Sequence, residues 1–211
     1  MKRCFPGASL LMLLAVAVLP ACTSLRPTDT EQVLRETRYQ NRYDSLAAIA
    51  DWSLEGRLAV RNEDDGGSGH FQWAKMLTDD RMEFHGALGR GAWRLRADDN
   101  GAVLELADGE VHRSSTVMEL VSERVGWDVP VQQLSWWVRG LAAPGSYRQR
   151  SLDDEGNLIE LLQAGWHIEY GGYRSVDGVA LPLKMTARQG ESSVKLAVRS
   201  WTLGSKGGES G

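Results

Sequence analysis

From Trp52 to Arg61 the chain reads WSLEGRLAVR, so that Trp52, Leu54, Gly56, Leu58 and Val60 alternate with Ser53, Glu55, Arg57, Ala59 and Arg61. A period of two marks a strand with one dry and one wet face, because successive side chains leave a pleated backbone on opposite sides. The same beat returns at Trp166, Ile168 and Tyr170, at Leu181, Leu183 and Met185, and at Val194, Leu196 and Val198. The positions between include His167, Glu169, Lys184, Lys195 and Arg199. Parallel strands buried on both faces read as continuous apolar runs, so this pattern confines the chain to antiparallel sheet that is wet on one side.

Acid-glycine clusters separate the strands: Asp64-Asp65-Gly66-Gly67, Asp98-Asp99-Asn100-Gly101, Asp108-Gly109, Asp153-Asp154-Glu155-Gly156 and Asp177-Gly178. Asp and Asn side chains bond to their own backbone and Gly accepts positive φ, so each cluster reads as a hairpin turn rather than as paired carboxylates for acid-base work or calcium. Glu31 to Ala50 holds no Pro or Gly, and Val33, Leu34, Leu46, Ile49 and Ala50 suggest an amphipathic helix. Mid-chain, Thr116-Val117-Met118-Glu119 has capping-box form, and Leu120, Val121 and Val125 follow before a stop at Gly126. Asp128 is placed to cap a second helix with Pro130 in its first turn, then Val131, Leu134, Trp137 and Val138 before Gly140. The order is a helix, about six strands, two or more helices and about five strands. A sheet of about eleven strands curls, and helices inserted mid-sequence can cross its concave face. The expected fold is mainly β, an open, strongly curved antiparallel barrel with a helical lid.

The start of the chain has a different character. Lys2 and Arg3 precede an uncharged run from Leu10 to Leu19, and Leu19-Pro20-Ala21-Cys22 follows. This is the layout of a secretory signal peptide, and the run is too short for a spanning helix, which needs roughly 20 apolar residues. The last four residues resemble the lipobox of bacterial lipoproteins, which implies cleavage before Cys22 and lipid on that cysteine. Cys4 falls in the removed part, so Cys22 has no partner for an internal disulfide. The resemblance also implies sorting to the outer membrane, since Thr23 and Ser24 follow the cysteine where Asp would favour inner-membrane retention.

The expected parts are a signal peptide over 1–21, a lipidated tether over 22–30, one domain over 31–203 and a flexible tail over 204–211. Cleavage takes Lys2 and Arg3 from 24 basic residues and nothing from 28 acidic ones, leaving 22 against 28 and a net charge of −6. A mildly acidic domain is a poor nucleic-acid binder. Neither Gly89-Arg90-Gly91 nor Gly66-Gly67-Ser68-Gly69 completes a phosphate-binding fingerprint, so no cofactor is expected. No Gly-x-Ser-x-Gly elbow occurs, and His70, His85, His112 and His167 lack metal-type spacing, which argues against a lipid hydrolase or another enzyme.

Eight tryptophans, Trp52, Trp73, Trp93, Trp127, Trp136, Trp137, Trp166 and Trp201, spread along the strands and the second helix. They fill a core or wall a cavity. Trp136 and Trp137 are about 100° apart on a helix, so one faces the sheet while the other is free to edge the mouth.

Several segments, in order and spacing, resemble the LolB family of outer-membrane lipoprotein receptors: Gly56-Arg57-Leu58-Ala59-Val60, Phe71-Gln72-Trp73, Leu88-Gly89, Gly126 with Val129-Pro130-Val131, Leu134, Trp137-Val138-Arg139-Gly140, and Tyr170-Gly171-Gly172-Tyr173 before Leu181-Pro182. The likeness runs through nearly all of the chain after Cys22. It implies a cavity that takes the acyl chains of lipoproteins from the soluble periplasmic carrier LolA and passes the cargo to outer-membrane lipid. On that reading the protein is an anchored monomer facing the periplasm. Leu58, Trp73, Phe84, Trp93, Leu95, Leu134, Trp137 and Ile168 are the expected lining. The family's membrane-engaging apolar residue matches Leu88, although Ala87 stands where a Pro often precedes it. Two readings compete: an anchored structural or assembly lipoprotein with a solid barrel, and a soluble-type carrier of the same fold, from which Cys22 separates a receptor.

Overall fold

The computed structural model describes residues 28–63, 66–87 and 91–204. The expected signal peptide, Cys22, most of the tether, Leu88 and the tail after Gly204 lie outside them. Helix α1 (Asp29–Ala47) is nucleated by a capping box: the Thr28 hydroxyl accepts the Glu31 N–H at 3.4 Å and the Glu31 carboxylate accepts the Thr28 N–H at 2.8 Å. It therefore starts two residues before the expected Glu31. Its buried face carries Tyr39, Arg42 and Leu46, whereas Val33 and Leu34 are 64% and 49% exposed. The apolar stripe expected of this helix is thus wrong in its first half, and the buried face lies in the second half, where Tyr39 and Arg42 make it aromatic and cationic.

Six strands follow: β1 (Trp52–Arg61), β2 (Gly66–Lys75), β3 (Asp80–Gly86), β4 (Trp93–Asp98), β5 (Gly101–Leu106) and β6 (Val111–Ser114). Helix α2 (Val117–Leu120) runs into a π-helical turn (Val121–Val125) that Gly126 ends at φ 74°, and α3 (Val131–Trp137) completes the lid. The chain then forms β7 (Gln149–Leu152), β8 (Leu158–Gln163), β9 (Trp166–Tyr170), β10 (Tyr173–Val176), β11 (Val179–Pro182), β12 (Lys184–Gln189) and β13 (Ser192–Leu203). Eleven strands make one antiparallel sheet in the order β6-β5-β4-β3-β2-β1-β13-β12-β9-β8-β7. Because β13 returns beside β1, the two halves join at the centre and the sheet stays open at β6 and β7. The lid helices connect those two free edges.

Curvature follows from which strands α3 touches. Its Leu134 shares an apolar cavity with Trp93 of β4, and the Trp137 indole donates to Gln163 of β8 at 2.9 Å. β4 and β8 stand seven positions apart in the sheet, about 34 Å if flat at ~4.8 Å per strand. A helix of this length is only about 10 Å long and about as wide, so the sheet must wrap around it. The alternation seen in the sequence supplies the inner wall: in β1, Trp52, Leu54, Gly56, Leu58 and Val60 are all buried.

Gly56 marks the one irregularity in the central β1–β13 ladder. The register skips between Glu55 and Gly56, so Glu55 pairs with Ser200 but Gly56 with Val198. A Cβ at this position would lie 2.2 Å from the Ala197 carbonyl oxygen, so only glycine admits the close approach that the bulge requires.

Several local expectations need correction. Leu181, Leu183 and Met185 do not share a strand: β11 ends at Pro182, which has no N–H for a ladder, and β10 and β11 form a separate hairpin. Leu183 bridges, donating to the Gly172 carbonyl and accepting from Val198. Asp128 does not cap α3, whose N-cap is Pro130 without a side-chain bond. At α2 the Thr116 hydroxyl accepts from Glu119 N–H at 3.3 Å, but the Glu119 carboxylate turns to the Ser114 hydroxyl, so the box is half made.

Candidate functional site

The concave face and the lid enclose one apolar cluster that contains all eight residues expected to line a cavity. Inside is an apolar cavity of about 30 Å³, walled by Leu58, Trp73 and Trp93 from the sheet, by Leu134 from the lid, and by further apolar side chains. That is room for only a few water-sized molecules. Phe84 lies outside this wall, in a groove discussed below. Leu95 packs deeper in the cluster. Trp137 and Ile168 are fully buried in the other half, where the Gln163 amide holds the Trp137 indole and also pairs with the Ala143 N–H and carbonyl at 2.8 Å each.

A second space opens on the outside. A groove of about 480 Å³ is edged by Gly66, Gly67 and Ser68 of β2 and by Ala87 and Gly91, the described residues nearest Leu88. Its floor is aromatic. Trp127, in the lid turn after Gly126, meets Phe84 edge-on at 4.9 Å and Trp93 edge-on at 5.5 Å, while Phe84 and Trp93 stack on each other at 5.9 Å. Trp93 and Trp127 border both the groove and the inner cavity, so these two indoles form the partition between them. Trp127 is half-buried and is seated by its N–H to the Val121 carbonyl, with Asn62 donating to the neighbouring Gly126 carbonyl at 2.6 Å.

The far side of the lid is fastened to α1 by two buried arginines. Arg139 donates to the Leu46 and Ser135 carbonyls at 2.9 and 3.0 Å, and Arg42 donates to those of Arg139, Ala180 and Gly140. Neither forms an ion pair with a carboxylate among the described residues. Burial pushes the Arg139 guanidinium down to about 10. Trp136, the neighbour of the fully buried Trp137, stacks on Tyr43 of α1 at 5.7 Å and lies under Arg139 at 4.9 Å, so neither of the pair edges a mouth.

The lid is thus clamped by charge-assisted bonds at one end and by aromatic contacts at the other, and a family model described as outer membrane lipoprotein LolB matches residues 50–201. The chain belongs to the LolB family. Within it, a protein of Alkalilimnicola ehrlichii named outer-membrane lipoprotein LolB is 35% identical over 199 residues, covering 93% of this chain and 98% of that one. One of Pseudomonas fluorescens with the same name is 31% identical over 187 residues, covering 88% and 91%. Among solved structures, similarity extends to a putative outer membrane lipoprotein-sorting protein domain of Vibrio parahaemolyticus, with TM-score 0.48, 11% identity and coverage of 85% and 95%. A LolA superfamily protein of Nitrosomonas europaea gives TM-score 0.42, 11% identity and coverage of 79% and 93%.

For this LolB-family chain, Trp127 is the site residue that sequence reasoning left among the core tryptophans. It lies between two short helices in Gly126-Trp127-Asp128, where no periodicity assigns a face. The only available signal was its place directly after the glycine that ends the first lid helix. Of the histidines, His70 and His85 are register partners across β2 and β3, while His167 bonds to Glu160 at 2.6 Å and His112 to Glu110 at 3.2 Å. Among the described residues no three His, Cys, Asp or Glu gather as metal ligands.

Proposed function

We propose that this protein is an outer-membrane lipoprotein receptor, lipid-anchored through Cys22 and facing the periplasm. It accepts acylated lipoproteins from the carrier LolA and inserts them into outer-membrane lipid without catalysing a reaction. The observation that carries the reading is the apolar interior under a lid whose one end, at Trp127, is held mainly by aromatic contacts. Each buried methylene of an acyl chain is worth about 0.8 kcal/mol, so a chain needs such a shielded place to leave one protein for another through water. An inner cavity of about 30 Å³ is far too small for a fatty acyl chain, so entry requires the Trp127 end of the lid to lift. The groove edged by Gly86, Ala87 and Gly91 leads to that end, and Leu88, which falls between them in the sequence, is the residue we assign to contact with the bilayer.

Family membership and the names of the relatives support the receptor reading over a solid-barrel assembly lipoprotein. Depletion of the protein in cells is the test. The receptor reading predicts that other lipoproteins accumulate in the periplasm bound to their carrier, whereas normal lipoprotein sorting after depletion refutes it.

A further inference from the structure

The inner cavity has walls of hydrocarbon and aromatic rings, and one of the residues lining it, Trp93, carries a buried donor without a partner. The Trp93 indole Nε1 is buried and has no hydrogen-bond partner, in a side chain only 5% exposed. Three other buried indoles are paired: Trp73 donates to Asp80 at 2.5 Å, Trp137 to Gln163 at 2.9 Å and Trp201 to the Pro182 carbonyl at 3.0 Å. A buried donor without an acceptor costs more than an ordinary hydrogen bond gains, so a fold that pairs three of its indoles and leaves one orphaned at a partition calls for a ligand.

The position of Trp93 narrows the ligand. Its indole borders both the inner cavity and the outer groove. A molecule spanning the two would place hydrocarbon inside, a polar part among Gly67, Ser68 and Gly86 outside, and its first polar atom at the level of Trp93. Among the described residues no cation lines either space to pair with a carboxylate, so a neutral acceptor suits the bare indole N–H. A glycerol-linked fatty acyl chain has this layout, with an ester carbonyl at the boundary between its apolar and polar parts.

We infer that Trp93 is a ligand-binding residue whose indole N–H donates to the ester carbonyl of an inserted acyl chain and so sets how deep the chain goes. This rests on the acyl-accepting reading above. The same ester chemistry occurs in a diacylglyceryl-cysteine of a lipoprotein and in a membrane phospholipid, so the experiment compares the two.

The test uses protein with Cys22→Ala, so that no attached lipid competes. Binding is measured for a synthetic diacylglyceryl-cysteine peptide and for phosphatidylethanolamine, each as the ester and as the ether analogue that lacks the carbonyl. One neutral hydrogen bond predicts ester binding about tenfold tighter than ether binding, with the preference abolished in Trp93→Phe through weaker ester binding. A preference confined to the peptide assigns the site to lipoprotein cargo, and one confined to the phospholipid assigns it to membrane lipid. Equal ester and ether affinity in both pairs, or a preference that survives Trp93→Phe, overturns the role of Trp93 while leaving the cavity reading intact. Failure of all four ligands to bind refutes the cavity reading itself and the inference with it. Should Trp93→Phe not fold, the Trp93 indole N–H proton resonance of the unsubstituted protein decides: it moves downfield with the ester and not with the ether, and identical shifts overturn the inference.

Discussion

If Trp127 is the moving partition between groove and cavity, its removal should have opposite effects on stability and on uptake. A fully buried Trp→Ala change costs about 3–5 kcal/mol, and Trp127 is half-buried, so Trp127→Ala should cost ~2 kcal/mol. For a domain of this size that lowers Tm by about 4–8 °C. Uptake should accelerate, because a chain that enters must first separate Trp127 from Phe84 and Trp93. Two edge-on aromatic contacts at about 0.5–1.5 kcal/mol each sum to ~2 kcal/mol, or roughly thirtyfold in rate if both break in the rate-limiting step. Stopped-flow uptake of a fluorescent acyl ester, with thermal unfolding followed in parallel, reads both quantities. Val198→Ala on the opposite part of the core serves as the control, destabilising without touching the partition. Uptake by Trp127→Ala at or below the rate of the unsubstituted protein would refute the reasoning, since Trp127 would then be ordinary core.

Three further outcomes follow from other features. Leu88→Glu should leave cargo acceptance intact and slow insertion into vesicles in a reconstituted transfer assay; a normal insertion rate removes the membrane-engaging role of that loop. Burial raises the ionisation of Tyr39, Tyr170 and Tyr173 above the ordinary tyrosine range, and the last two donate to the Trp137 and Leu158 carbonyls. The folded chain then keeps phenol protons that the unfolded chain releases, so stability is full below about pH 10 and falls as pH rises above it. Phenolate absorbance for these residues should appear together with the loss of circular dichroism, and gradual ionisation ahead of unfolding would contradict their burial. Gly56→Ala should lower the urea midpoint by the equivalent of ~3 kcal/mol, because its Cβ meets the Ala197 carbonyl and backbone must shift; an unchanged midpoint would show that the β1–β13 bulge relaxes freely.

The strands were legible because burial on one face imposes a period of two, and that period survives in β1 without exception. Turns at Asp98, Asp108, Asp153 and Asp177 were legible for a separate reason: backbone needs are local, and the side chains of Asp98, Asp108 and Asp153 bond to N–H groups two or four residues on. Features that depend on distant partners were harder to see. Arg42 faces inward on α1 because carbonyls from Arg139, Gly140 and Ala180 receive it, and nothing in the helix itself announces that. The β8–β9 turn takes Ala164 at φ 51°, a position with no acid-glycine signature. Of the candidate site, the apolar composition was visible residue by residue. The division into an inner cavity, an outer groove and an indole partition was not, since it depends on how a lid turn with no periodicity meets β3 and β4.

The central claim is that the interior takes the acyl chains of a lipoprotein. Incubating the carrier's complex with a fluorescent lipoprotein and the Cys22→Ala protein, then separating the species by size, tests it most directly. The account predicts that cargo moves from the carrier to this protein and remains soluble with its acyl chains protected from quencher. Cargo that stays on the carrier while the recipient is fully folded would contradict it.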